Sequence, residues 1–160
     1  MVKPRNLGHV VLRVRNVERA QAFYTSLLDL DVMARYGDEM VFLSSGNDSS
    51  HELALMSVGE DAPGPESDRV GMYHFAWRFA ELADLRALRA QLEEAGVKAG
   101  VGNHGISIGI YFFDPDGNEI ECYYELPKQH WPSGDIFAGK YFPDGLDTDL
   151  AKAIEAAAAK

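Results

Sequence analysis

Cysteine is almost missing from this chain. Cys122 stands alone in 160 residues, so no internal bridge can form, and such usage is expected of a protein kept in a reducing cytoplasm. Basic residues are also scarce, 15 against 25 acids, for a formal net charge of −10. That balance repels polyphosphate and anionic lipid and leaves no basic groove, which argues against nucleic acid or a membrane as partner. Apolar runs are short: residues 109–113 form one of the longest, far below the roughly 20 needed to cross a bilayer. Residues 1–6 lack the apolar stretch of a signal peptide, so secretion is not expected. What is present is a globular composition, 46% hydrophobic and 25% charged. A chain of this length can bury roughly two thirds of its unfolded surface in one core without help from a disulfide or metal.

The periodicity changes repeatedly along the chain. Residues 7–14 read as a strand, after which Asn16 is placed to cap a helix whose apolar positions Val17, Ala20, Phe23, Tyr24, Leu27 and Leu28 recur at helical spacing. Three short apolar runs follow, 31–36, 40–44 and 52–58, with turn residues between them. Residues 59–68 hold two prolines, two glycines and four acids with no base, the composition of a solvated linker. The pattern then restarts: strand-like 72–79, a helical stripe Leu85, Leu88, Leu92 and Ala95 ended by Gly96, then strand candidates 97–101, 105–113 and 119–124. The order is βαβββ twice, over about 6–58 and 70–125.

The two halves share a faint signature. His9-Val10-Val11-Leu12-Arg13 and His74-Phe75-Ala76-Trp77-Arg78 both read H-x-x-x-R at the start of their half. Strand alternation puts Val10, Leu12 and Val14, and likewise Phe75, Trp77 and Phe79, on an apolar face suited to packing on the helix. The opposite face carries histidine, a small residue and arginine. For an antiparallel sheet with one wet side a polar row is the default, and a lone strand histidine is more often a surface residue than a ligand. Repetition at equivalent points favours a shared cavity instead. Two imidazoles and the carboxylate of Glu121, on the last strand, would leave three positions open on an octahedral metal.

At Gly102-Asn103-His104, followed after five residues by Ile110-Tyr111, Phe112-Phe113, Asp114-Pro115-Asp116-Gly117 and, three residues on, Glu121, the chain resembles the signature of the type I extradiol ring-cleavage dioxygenases of the vicinal oxygen chelate superfamily. The resemblance runs from about Leu7 to Pro127. It implies an α+β fold of paired βαβββ modules forming a cupped mixed sheet, here one domain over 1–132. It implies His9, His74 and Glu121 as ligands of Fe(II), or less often Mn(II), and a small aromatic diol with O2 as substrates. His51 is similar to that family's acid–base histidine, and Tyr111 and His104 to the groups that hydrogen-bond the bound catecholate. Such a triad leaves Fe(II) positions for both catechol oxygens and O2. His51 would take the catechol proton and return it as the O–O bond breaks. Tyr111, on its own an aromatic filling the sheet, would hold the deprotonated oxygen by a charge-assisted hydrogen bond.

Other features are expectations of detail. His51 and Ala54 are three apart and would face opposite ways in a regular strand, so His51 should enter from a loop or bulge. Arg13 and Arg78 either orient substrate or pair with Glu119. His130 reads as an exposed structural residue. Asp114–Asn118 should form a three-residue hairpin with Gly117 in the left-handed region, which pairs Asp114 with Asn118 and sets Tyr111 directly across from Glu121. A two-residue turn would set Tyr111 opposite Ile120 instead.

Rivals share the fold. Glyoxalase-type isomerases and epimerases place a fourth carboxylate ligand where this chain, aligned 51–55 on 118–122, has Ala54. A metal-free drug-binding module of the bleomycin-resistance kind suits the net charge but has no use for His9, His74 and Glu121 together. Residues 133–160, with Phe137, Tyr141 and Phe142 and then an alanine-rich helix begun by Asp147-Thr148-Asp149, would cap the substrate cavity or a subunit interface. A homo-oligomer, dimer or higher, is expected.

Overall fold

A computed structural model describes residues 1–131 and 133–137. Two compact units emerge: Met1–Val70 with the turn Asp114–Asn118, and Gly71–Phe113 with the described residues from Glu119 on. The C-terminal helix expected within 133–160 lies outside the described residues.

The first unit runs β1 (Val10–Val14), α1 (Val17–Leu28), β2 (Asp31–Tyr36), β3 (Met40–Ser44) and β4 (Leu53–Ser57). Asn16 is the N-cap, its side-chain oxygen accepting the Arg19 amide at 2.9 Å. The sheet order is β1-β4-β3-β2, with β1 parallel to β4 and the other pairs antiparallel. Leu12, Val14, Val41, Leu43, Leu53 and Leu55 are buried on one face, as are Val17, Ala20, Tyr24 and Leu27 of α1. The first strand starts at Val10 rather than Leu7, because its ladder begins where the Val10 amide reaches the Glu52 carbonyl, 2.9 Å away. His9 therefore stands just ahead of the strand.

The turn Asp114–Asn118 is fixed by its own carboxylates. Asp114 Oδ1 accepts from the Asp116 and Asn118 amides at 2.9 and 2.8 Å, and its Oδ2 from Asn118 Nδ2 and the Tyr24 hydroxyl at 2.8 and 2.9 Å. Asp116, itself buried, takes Arg15 and Arg19 at 3.1 and 3.0 Å. Both arginines meet Oδ1, while Asp116 Oδ2 is buried without a hydrogen-bond partner; the two guanidinium charges are what make its burial tolerable.

The second unit repeats the order: β5 (His74–Phe79), α2 (Leu82–Glu94), β6 (Ala99–Asn103), β7 (Ser107–Phe113) and β8 (Glu119–Glu125), in sheet order β5-β8-β7-β6. Again the first pair is parallel and the rest antiparallel. Phe75, Ile108, Ile110, Phe112, Ile120, Cys122 and Tyr124 are buried, with Leu82, Leu85, Leu88 and Leu92 of α2. Gly96, at φ 69°, ends α2: its amide and that of Val97 return to the Glu93 and Leu92 carbonyls at 3.1 and 2.8 Å. Because Val97 is used in that cap, β6 starts two residues later than the apolar pattern suggests. The α+β, twice-βαβββ expectation holds, with a mixed sheet in each unit. Among the described residues no helix is long and apolar enough to cross a membrane.

Candidate active site

The hairpin β7–β8 sets the site. Gly117 has φ 89°, its amide closes a turn onto the Asp114 carbonyl at 3.1 Å, and the Asp114 amide meets the Asn118 carbonyl at 3.0 Å. This is the three-residue turn with a left-handed glycine. The resulting register pairs Phe113 with Glu119 and Tyr111 with Glu121, as expected. Ala76 lies on the other side of Glu121, so one row across the sheet reads Ala76, Glu121, Tyr111, Gly100.

Side chains from that face converge. The Tyr111 hydroxyl donates to Glu121 Oε1 at 2.6 Å and lies 2.6 Å from His104 Nε2. Glu121 Oε2 is 3.2 Å from His74 Nε2. His104 reaches in from the β6–β7 turn, where its amide bonds the Ser107 carbonyl at 2.9 Å. A cavity of about 390 Å³ is lined by His74, Ala76, His104, Ser107, Tyr111, Glu121, Tyr123 and Phe137. Partial burial, then the hydrogen bond to Glu121 and its charge, push the Tyr111 phenol well above the usual range. It remains a donor through the neutral range. Burial likewise pushes up the Cys122 thiol, with the Glu121 charge adding to the effect.

The other expected residues lie in the first unit. His51 precedes β4 and stands in a loop rather than in the strand, which its spacing to Ala54 allowed. Its ring lies 4.6 Å from that of His9, tilted by 34°, and 5.0 Å edge-on from Phe42. Ala54 pairs with Val11 and Phe42, the place Glu121 takes between Ala76 and Tyr111. Arg78 pairs with Glu125 at 3.4 Å and not with Glu119: it stands across from Tyr123, which puts Glu125 on the diagonal, while Glu119 stands across from His74. His130 is exposed, in a short 3-10 turn Lys128–His130.

The structure thus brings His74, His104, Tyr111 and Glu121 together, and His9 with His51. Among the described residues no three histidine, cysteine or acidic side chains are gathered so as to hold a metal. The pair His74–Glu121 nevertheless has the features of ligands. An imidazole nitrogen facing a carboxylate oxygen at 3.2 Å needs a proton or a cation between them. His74 and Glu121 would hold such a cation between them. The other ring nitrogen, His74 Nδ1, is buried with no hydrogen-bond partner. Nitrogen with carboxylate oxygen is a donor set that Fe(II) and Mn(II) accept.

Ser107, Tyr123 and Phe137 line the cavity in addition to the residues expected from the sequence. For the first two a signal exists, since both fall on Glu121's face by strand alternation; Phe137, beyond the last strand, belongs to the aromatic segment expected to cap either the cavity or a subunit interface, and it lines the cavity.

Residues 6–122 match the model of the Glyoxalase/Bleomycin resistance protein/Dioxygenase superfamily, and the chain belongs to it. The architecture is that superfamily's vicinal oxygen chelate fold. Among curated proteins, the chain is 29% identical over 130 residues to a catechol-2,3-dioxygenase of Bacillus subtilis, covering 79% of this chain and 44% of that protein. It is 31% identical over 119 residues to the glutathione transferase FosA of Serratia marcescens, covering 74% of this chain and 80% of that one. The chain therefore spans less than half of the dioxygenase and most of the transferase. Among solved structures, a glyoxalase/dioxygenase from Nostoc punctiforme superposes with TM-score 0.65 at 20% identity, over 79% of this chain and 97% of the other.

Proposed function

We propose that this protein is a metal-dependent extradiol dioxygenase, opening a catecholic ring beside its diol with O2. The observation that carries the reading is the convergence of His74, His104, Tyr111 and Glu121 on one cavity, and a relative named for catechol cleavage supports it. His74 and Glu121, with His9 as third ligand, would hold Fe(II), or alternatively Mn(II). When bound, that metal supplies Lewis-acid activation of the diol and a path for electrons between ring and O2.

The chain's own residues do the rest. Tyr111, kept protonated by burial and by Glu121, would turn its O–H from Glu121 Oε1 to an oxygen of the diol, stabilising negative charge there. His104, 2.6 Å from the same hydroxyl, holds the phenol in place and can exchange a proton with it. His51 accepts a proton from the diol and gives it back later. Ala76 leaves the cavity floor open, and Phe137 supplies an aromatic wall.

The test is anaerobic loading with Fe(II), addition of catechols, then air. A yellow ring-fission product is expected, and its absence across simple and aryl-substituted catechols sinks the reading. The transferase relative, matched over 80% of its length, favours a second reading, metal-dependent transfer of glutathione to an electrophile. Glutathione consumption without any ring product would identify it.

A further inference from the structure

We infer that a cross-strand pair of glycines, Gly102 on β6 and Gly109 on β7, positions the site by leaving a slot in which Tyr111 and Glu121 lie flat along the sheet. The two are partners in the ladder. Neither has the positive φ that would require glycine for the backbone's sake, and glycine inside a strand weakens it. Close approach explains both. A Cβ on Gly109 would stand 2.6 Å from Glu121 Oε1 and 3.2 Å from Glu121 Cγ and Tyr111 Cε2. A Cβ on Gly102 would stand 2.7 Å from Tyr111 Cε2 and 3.0 Å from His104 Nε2. Carbon and its neighbours settle at about 3.5–4 Å, so any side chain there displaces the groups that make the 2.6 Å contacts.

Two comparisons inside the molecule isolate the cause. Gly100 lies on β6 and pairs with Tyr111, yet a Cβ there would meet nothing within 4 Å. In the first unit the corresponding row reads Arg13, Met56, Met40, Tyr36, against Arg78, Tyr123, Gly109, Gly102 here. This sheet plan accepts bulky residues at those two points; the second unit is without them where the acid and the phenol lie over the strand. Gly102 and Gly109 are positioning residues acting through Tyr111, His104 and Glu121.

The test compares Gly109→Ala, Gly102→Ala and Gly100→Ala by two measurements. The first, on metal-free protein, is the part of the near-ultraviolet circular dichroism that Tyr111→Phe removes. It is expected to vanish in Gly109→Ala and Gly102→Ala and to persist in Gly100→Ala. The second is Mn(II) affinity by calorimetry, which rests on the function proposed above. It is expected to fall about tenfold or more in Gly109→Ala, the scale seen when groups that orient a ligand are disturbed, and to be unchanged in Gly100→Ala. A parent protein that binds no Mn(II) removes the functional reading, and the dichroism then decides the positioning role alone. Retention of the tyrosine signal in both slot variants, or equal loss in Gly100→Ala, overturns the inference. Should Gly109→Ala fail to fold, adding Glu121→Ala is expected to restore folding by removing the overlapped atoms, and no restoration also overturns it.

Discussion

The two units are one plan with two chemistries. In the first, the row across the sheet reads Val11, Ala54, Phe42, Ala34; in the second, Ala76, Glu121, Tyr111, Gly100. An alanine stands where the other unit has a glutamate and a phenylalanine where it has a tyrosine, while strand order, parallel pair and helix are the same. The buried face is interchangeable apolar packing, which many sequences satisfy. The other face holds the difference, and there a single carboxylate and a single hydroxyl build the hydrogen-bonded cluster that the first unit lacks. Function in this architecture is a substitution pattern on one side of a shared pleat.

Erasing that difference gives the largest expected effect. Glu121→Ala makes the second row resemble the first at its key point, and bound metal should drop by more than about 100-fold in affinity, beyond the loss typical of groups that only orient a ligand. The proposed ring cleavage should go with it, while far-ultraviolet dichroism is retained; metal analysis of the purified variant reads the outcome. The proton-transfer role proposed for His51 is tested by His51→Ala. Metal content should be unchanged and the rate of ring cleavage should fall about 10²–10⁴-fold, the worth of a proton-transfer group. Full activity in that variant would return His51 to a structural role against His9 and Phe42.

The smallest effect belongs to Tyr111→Phe, which copies Phe42, and it concerns the stability of metal-free protein. The folded phenol titrates above its unfolded value, so its contribution is fully present below about pH 10 and is lost as pH rises through the folded value, the unfolded chain giving up its proton first. The parent's melting temperature should therefore decline more steeply than the variant's above about pH 10, by a few degrees at most for a partly exposed group. Parallel declines would mean that neither burial nor the 2.6 Å contact with Glu121 holds the proton on Tyr111.

Much of this contrast is legible in the sequence because strand alternation and turn chemistry are local. Pro115 and Gly117 determine the hairpin, the hairpin determines the register, and the register puts Tyr111 beside Glu121. Asn16 announces α1, and the repeated H-x-x-x-R announces the second unit. Strand ends are less readable, since β1 begins only where Glu52 offers a carbonyl and β6 waits for Val97 to finish the cap. Arg78 chooses Glu125 over Glu119 by a diagonal that only the parallel ladder defines. The glycine slot is invisible for a related reason: alternation tells which face a residue occupies, but not how low a neighbour's side chain lies across it.

Cys122 follows Glu121 directly in the chain yet falls on the sheet's other face, across from Ile110 and beside Ile120, buried and hard to ionise. The pleat thus works as an insulator. One peptide bond separates a hard oxygen donor from a soft sulfur, and the sheet puts them on opposite sides, so thiophilic ions such as copper or cadmium find no sulfur ligand beside the carboxylate, and the only thiol is shielded from oxidants that enter the cavity.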